Sequence, residues 1–192
     1  DIDSVLAKRP SNSLGLVRIG GNTGSGKTTL CTWLARHLRL QGKKVLVVRL
    51  DDWIVPRKKR KPGEDNFEHT FRLHRLAGDL NDILQGKPVM VPGYARHPGQ
   101  KAKALEYQRH NEEIVLVEGV PALHDSFDVL PWTCSIGLKE SKETLEKRVH
   151  ALYTWKGYLE EERQALWKKR EAKEYREIAA LVQKADFVYT RP

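Results

Sequence analysis

Gly21-Asn22-Thr23-Gly24-Ser25-Gly26-Lys27-Thr28 is the stretch on which the reading of this chain turns. It fits G-x-x-x-x-G-K-[ST] at every fixed position, a match that 192 residues give by chance on the order of 1% of the time. Its surroundings agree with it. Residues 14–19 (LGLVRI) read as a short strand running into the glycines. From Thr28 to Gln41, Leu30, Trp33, Leu34 and Leu38 recur at helical spacing, with Gly42 at the C-terminal cap. Strand, glycine-rich loop and helix are the context in which backbone N–H groups turn inward around a polyphosphate and the helix N-terminus adds a positive dipole end. The candidate cradle is Gly21, Asn22, Thr23, Gly24, Ser25, Gly26, Lys27, Thr28 and Thr29. In it Lys27 would reach the β- and γ-phosphates, and the Thr28 hydroxyl would hold Mg²⁺.

Outward from this loop, strands alternate with helices. Residues 45–50 (VLVVRL), 114–117 (IVLV), 133–138 (TCSIGL) and 186–190 (DFVYT) read as strands. Helices are expected from Phe71 to Leu84, closed by Gly86, and over about 140–154 and 160–184. Residues 87–112, with Pro88, Pro92, Gly93, Pro98 and Gly99, read as irregular. The alternation predicts an α/β domain with a mainly parallel, buried sheet.

Ligands in such sheets bind beyond the carboxyl ends of the strands, where Asp51, Asp52 and Glu118 fall. Transfer of a phosphoryl group to a hydroxyl needs a carboxylate to orient the hydroxyl and accept its proton, and groups to hold Mg²⁺. Asp51 suits the first task, with Asp52 as the alternative. Thr28, Glu118 and Asp51 suit the second, directly or through water. Arg148, on the helix after the fourth strand, could stabilise charge on the moving phosphoryl group. Trp53 and Tyr94 could stack on a flat acceptor, or serve as core aromatics.

In chain order, the loop, Asp51-Asp52-Trp53, Asn66-Phe67-Glu68-His69, Gly86-Lys87-Pro88-Val89 with Pro92-Gly93-Tyr94, Val117-Glu118-Gly119 and Ala185-Asp186 resemble the uridine kinases. Their wider group holds phosphoribulokinase and bacterial pantothenate kinase, and the likeness runs from about Leu16 to Thr190. It implies a P-loop NTPase-type three-layer α/β sandwich, with a mainly parallel five-stranded sheet and helices on both faces. It also implies ATP and Mg²⁺ as cofactors and a small-molecule hydroxyl, nucleoside-like, as acceptor. Asp51 would be the base, with Lys27 and Arg148 beside it. Asp52, Trp53, Phe67, His69, Tyr94, Arg96 and His97 would lie on the acceptor side, within a region spanning 53–112, and about 140–160 would form a lid. Departures bear on the acceptor. The chain has Asp51-Asp52-Trp53-Ile54 where uridine kinases have Asp-x-Phe-Tyr, and the lid has Lys156-Gly157 in place of Arg-Gly. Residues 71–76 resemble the pantothenate kinase branch. A kinase for a sugar, a pantothenate-like compound or another alcohol is therefore the alternative within the class.

Composition is globular, 40% hydrophobic and 31% charged, with a net charge of +9. No apolar run approaches the roughly 18 residues of a membrane span, and no signal-peptide pattern opens the chain. Two cysteines, Cys31 and Cys134, make a reducing cytoplasm the expected setting. They and the histidines lack metal-ligand spacing. Length suits a single domain over 1–192; because it opens on Asp1, the chain could be cut from a longer protein. Arg57-Lys58-Lys59-Arg60-Lys61 reads as a solvated loop, a steering patch for anionic substrate, or a macromolecular contact. The last option leaves an NTP-binding regulatory or nucleic-acid-associated module as the reading from another class. Lys168-Lys169-Arg170, set among glutamates, reads as a mixed-charge helix face. Homo-oligomerisation stays open.

Overall fold

The computed structural model describes residues 2–10, 13–55, 59–60, 67–95 and 100–190, with the side chains of Phe67 and Lys173 outside that description. A short helix α1 (Ile2–Ala7) precedes strand β1 (Gly15–Gly21), whose residues are buried on both faces except Arg18. Such a continuous apolar run belongs to the middle of a parallel sheet. After β1 come α2 (Lys27–Leu40), β2 (Val45–Arg49), α3 (Phe67–Phe71), α4 (Leu73–Leu84), β3 (Val89–Val91), β4 (Leu105–Tyr107) and β5 (Ile114–Glu118). The chain ends with β6 (Cys134–Lys139), α5 (Lys142–Trp155), α6 (Glu160–Arg170), α7 (Arg176–Gln183) and β7 (Phe187–Thr190). Strand order in the main sheet is β2-β5-β1-β6-β7, and every pairing in it is parallel.

Strand alternation sends neighbouring residues to opposite layers. Leu16, Val48, Val115 and Val117 pack with Leu76, Leu80 and Ile83 of α4 and Ile178 and Val182 of α7. Val17, Ile19, Ile114 and Leu116 pack with Cys31, Leu34, Ala35 and Leu38 of α2 and Leu6 of α1. Each fully buried Leu, Ile or Val contributes roughly 1.5–3 kcal/mol of transfer free energy. A separate small cluster, Leu145, Val149 and Trp167 with Tyr153 and Tyr175, ties α5 to α6.

The three-layer α/β sandwich agrees with the sequence reading; three local features differ from it. Residues 87–112 are not wholly irregular: β3 and β4 pair antiparallel, Val89 facing Tyr107 and Val91 facing Leu105. The helix expected from Phe71 to Leu84 begins earlier and breaks at Arg72, which adopts φ 53° and accepts the N–H groups of Arg75 and Leu76. That break lets both Phe71 and Leu73 reach the core. The helix expected over 160–184 is two helices joined by a π-helical turn, Glu171–Tyr175. Among the described residues no helix is long and apolar enough to cross a membrane.

Candidate active site

Sheet register sets the site. Arg49 at the end of β2 pairs with Glu118 of β5, and Glu118 pairs with Ile19 of β1. β2 and β5 therefore finish level, β1 runs on past them to Gly21, and the segments leaving the three strands share one edge. Beyond β1 lies the phosphate loop, beyond β2 the 3₁₀ turn Leu50–Trp53, and at the tip of β5 Glu118 itself.

In the loop Gly21 has φ 147°, and a Cβ there would come within 2.7 Å of the Leu138 carbonyl oxygen and 2.8 Å of Ser25 Oγ, so only glycine fits without rearrangement. Lys27, 7% exposed, donates from Nζ to the Asn22 carbonyl oxygen at 2.8 Å. Burial pushes its ammonium below the ordinary lysine range, opposed by the charges of Asp51, Glu118 and Glu174. Thr28 donates from Oγ1 to Glu118 Oε1 at 3.0 Å. Arg49 Nε lies 3.9 Å from the same oxygen. Burial pushes the Glu118 carboxyl above its usual range, aided by Asp51 and countered by Lys27. Asp51, half-buried, thus acts electrostatically on both groups from the turn after β2.

Ser25 is 4% exposed, and among the described residues its Oγ has no hydrogen-bond partner. A buried hydroxyl without a partner costs about 1–3 kcal/mol. An unmatched donor, a desolvated ammonium and a glycine cradle together fit a polyphosphate. Thr28, Glu118 and Asp51 are hard oxygen donors of the kind Mg²⁺ takes. Among the described residues no group of three or more His, Cys, Asp or Glu side chains could hold a metal alone, so such an ion would draw further ligands from phosphate and water.

Arg148, expected beside the phosphoryl group, reaches the loop from α5. Its Nη1 donates to the Gly24 carbonyl oxygen at 3.0 Å and to Glu140 Oε2 at 2.8 Å. Arg170 went unrecognised as a site residue. The sequence reads it as part of a mixed-charge helix face, but its Nη1 donates to Thr23 Oγ1 at 2.5 Å and to Glu174 Oε1 at 3.1 Å. Its Nη2 donates to the Tyr153 hydroxyl at 3.0 Å. An Arg followed by Glu at i+4 is an ordinary surface pattern, so no local signal sets it apart.

On the acceptor side, two expectations change. Trp53 is 1% exposed, donates from Nε1 to Asp79 Oδ2 at 2.8 Å and stacks on Tyr107 at 5.4 Å, so its ring belongs to the core and not to a ligand surface. Asp52 is likewise buried, accepting from the Tyr107 hydroxyl at 2.7 Å and from the Tyr94 backbone N–H at 3.1 Å. Both oxygens hold the β3–β4 hairpin in place. Tyr94 is half-buried and its hydroxyl accepts from Lys156 Nζ at 3.0 Å. His69 is exposed on α3. Arg96, His97 and the Phe67 side chain lie outside the described residues, as do Arg57, Lys58 and Lys61 of the basic run.

The model of the CobQ/CobB/MinD/ParA nucleotide binding domain matches residues 16–159. A chloroplastic uridine/cytidine kinase of Arabidopsis thaliana is 26% identical over 116 residues, covering 58% of this chain and 24% of the relative. A uridine kinase of Staphylococcus epidermidis is 28% identical over 122 residues, covering 60% and 56%. The match thus spans about a quarter to just over half of these relatives' lengths. Among solved structures, a protein assigned as a fructose transport system kinase from Silicibacter sp. TM1040 superposes with a TM-score of 0.70 at 21% identity, covering 100% of this chain and 95% of that one. A Bacillus stearothermophilus protein assigned as a uridine kinase gives 0.66 at 20% identity, covering 97% and 94%.

Proposed function

The chain belongs to the CobQ/CobB/MinD/ParA nucleotide binding domain family and is uridine kinase-like within the P-loop fold; from there we propose that it is an ATP- and Mg²⁺-dependent kinase of a small-molecule hydroxyl. The observation that carries this reading is the cluster at the strand ends: Thr28 bonded to Glu118, with Lys27 and Asp51 acting in opposite directions on the Glu118 carboxyl. A regulatory nucleotide switch also carries a strand-end carboxylate beside its cradle, but it needs neither a second acid such as Asp51 nor a separate hairpin wall.

Lys27 and the loop N–H groups hold the β- and γ-phosphates, and Ser25 Oγ offers a further donor. Thr28, Glu118 and Asp51 would hold Mg²⁺, directly or through water, and the ion would neutralise phosphate charge. Asp51 orients the acceptor hydroxyl and takes its proton as the oxygen attacks the γ-phosphorus and ADP departs. Arg148 fixes the loop through the Gly24 carbonyl and lies near enough to compensate charge during transfer. The chain acts as one kinase domain, with residues 53–112 forming the acceptor side and about 140–160 the lid. Burial pushes the Cys31 thiol up to about 12 and the Cys134 thiol to about 11, so both stay protonated. A cytoplasmic setting is the reading that two cysteines, too few for a disulfide scaffold, favour.

The first acceptor class is nucleoside-like. Withdrawal of Trp53 into the core removes one stacking surface and favours, as second reading, a sugar, pantothenate-like or other alcohol. The test is ADP release from ATP with uridine, cytidine, pantothenate and sugar alcohols in turn. Turnover with a nucleoside supports the first reading and turnover with another alcohol the second. No turnover with any, together with salt-sensitive RNA or DNA binding, would replace both with the nucleic-acid-associated module.

A further inference from the structure

Lys156, just past α5, faces two tyrosines. Its Nζ donates to the Tyr94 hydroxyl at 3.0 Å and lies 5.2 Å from the Tyr94 ring centroid and 5.7 Å from that of Tyr153. Tyr153 is also gripped by Arg170, which donates to its hydroxyl at 3.0 Å with the guanidinium carbon 5.8 Å from the ring centroid. Tyr158 meets the same ring edge-on, centroids 5.0 Å apart, which limits its rotation. Arg170 then reaches Thr23. Tyr94, Lys156, Tyr153, Arg170 and Thr23 form one unbroken line from the acceptor segment, across the lid, to the phosphate loop.

Two cations sharing one ring repel each other, and the arrangement holds because the ring attracts both and Glu174 balances Arg170. A polyphosphate arriving at Thr23 would compete with Glu174 for the guanidinium. Any shift of Arg170 changes the Tyr153 hydroxyl contact and the field felt by Lys156, and Lys156 holds Tyr94. We infer that Tyr153 is a positioning residue that makes the order of the acceptor wall depend on occupancy of the phosphate loop. The inference rests on the nucleotide-binding reading above. In this arrangement the lid adjusts the acceptor pocket only once the phosphoryl donor is seated, which limits wasteful hydrolysis.

The test is hydrogen–deuterium exchange of the whole chain with and without the non-hydrolysable analogue AMPPNP with Mg²⁺, on wild type, Lys156→Met, Tyr153→Leu and Tyr153→Phe. In wild type the analogue slows exchange in the loop after β1 and, by about fivefold, in residues 92–95 and 105–107. Lys156→Met and Tyr153→Leu keep the loop protection and lose the protection of the acceptor segment. Tyr153→Phe, which keeps the ring, retains part of it. Acceptor-segment protection unchanged in Lys156→Met and Tyr153→Leu, or absent in wild type while the loop is protected, overturns the relay and leaves the nucleotide site intact. No protection anywhere in wild type overturns the nucleotide site itself, and the relay with it.

Discussion

Tyr107 donates its hydroxyl to Asp52 Oδ2 at 2.7 Å, and this bond separates two adjacent acids by task. Asp52 is sealed beneath the β3–β4 hairpin, while Asp51 acts electrostatically on Lys27 and Glu118. Asp52→Asn is expected to lose about 1–3 kcal/mol of stability, since a buried bond network loses its match. Asp51→Asn is expected to melt like wild type and to lose phosphotransfer by about 10²–10⁴-fold. Thermal melts paired with single-turnover assays decide it; unchanged melting with lost turnover in Asp52→Asn would reverse the assignment.

Lys27→Met should abolish saturable nucleotide binding in calorimetry. The nucleotide-free protein should melt no lower than wild type, because burial already works against the Lys27 charge. A large fall in melting temperature would show that Lys27 holds the loop together even without ligand.

Glu118→Gln tests the electrostatics of the cluster through pH. The folded-state carboxyl is raised from its ordinary 4.5, chiefly by burial. Its favourable contribution is therefore present below that value and lost as pH rises through the raised one. At neutral pH the ionised group is a burden, and the amide can still accept from Thr28. The variant should melt about 2–4 °C higher than wild type at pH 7, with the gap closing in acid, and should bind the Mg²⁺–nucleotide about tenfold more weakly. A lower melting temperature at pH 7 would contradict the sign.

Ser135→Ala probes the opposite case. Hydrogen bonds from the Ser135 hydroxyl and N–H hold the Asp186 carboxyl below its usual range. Stability from a depressed carboxyl is present above its unfolded value and lost as pH falls through the folded one. The variant should lose about 0.5–1.5 kcal/mol at neutral pH in urea titrations, with the difference shrinking in strong acid. Equal loss at all pH values would point to packing alone.

The main sheet was legible where a strand is an apolar run with an acid at its end or just beyond, as at Val45–Arg49 before Asp51 and at Ile114–Glu118. The phosphate loop was legible because its geometry is written in consecutive residues. What escaped depends on partners distant in sequence. Trp53 after a strand-end acid reads equally well as platform or core, and Tyr107 with Asp79 decides. The β3–β4 hairpin has only three residues on each side, too few for alternation to stand out among prolines. Arg170 is indistinguishable from Lys168 and Lys169 until the fold brings Thr23 and Tyr153 to it.

The π-helical turn at Glu171–Tyr175 has a bearing on how this chain tolerates changes in length. It separates a half-helix anchored on the sheet through Ile178, Leu181 and Val182 from one whose last residue, Arg170, meets the loop. The surplus residue works as a vernier: it offsets the phase of one half against the other without disturbing either. Deleting one residue here would rotate α6 by about 100° relative to its anchor. Every other side chain would survive and the helix would become more regular, but Arg170 would turn away from Thr23. In this stretch, the residue count carries as much information as residue identity.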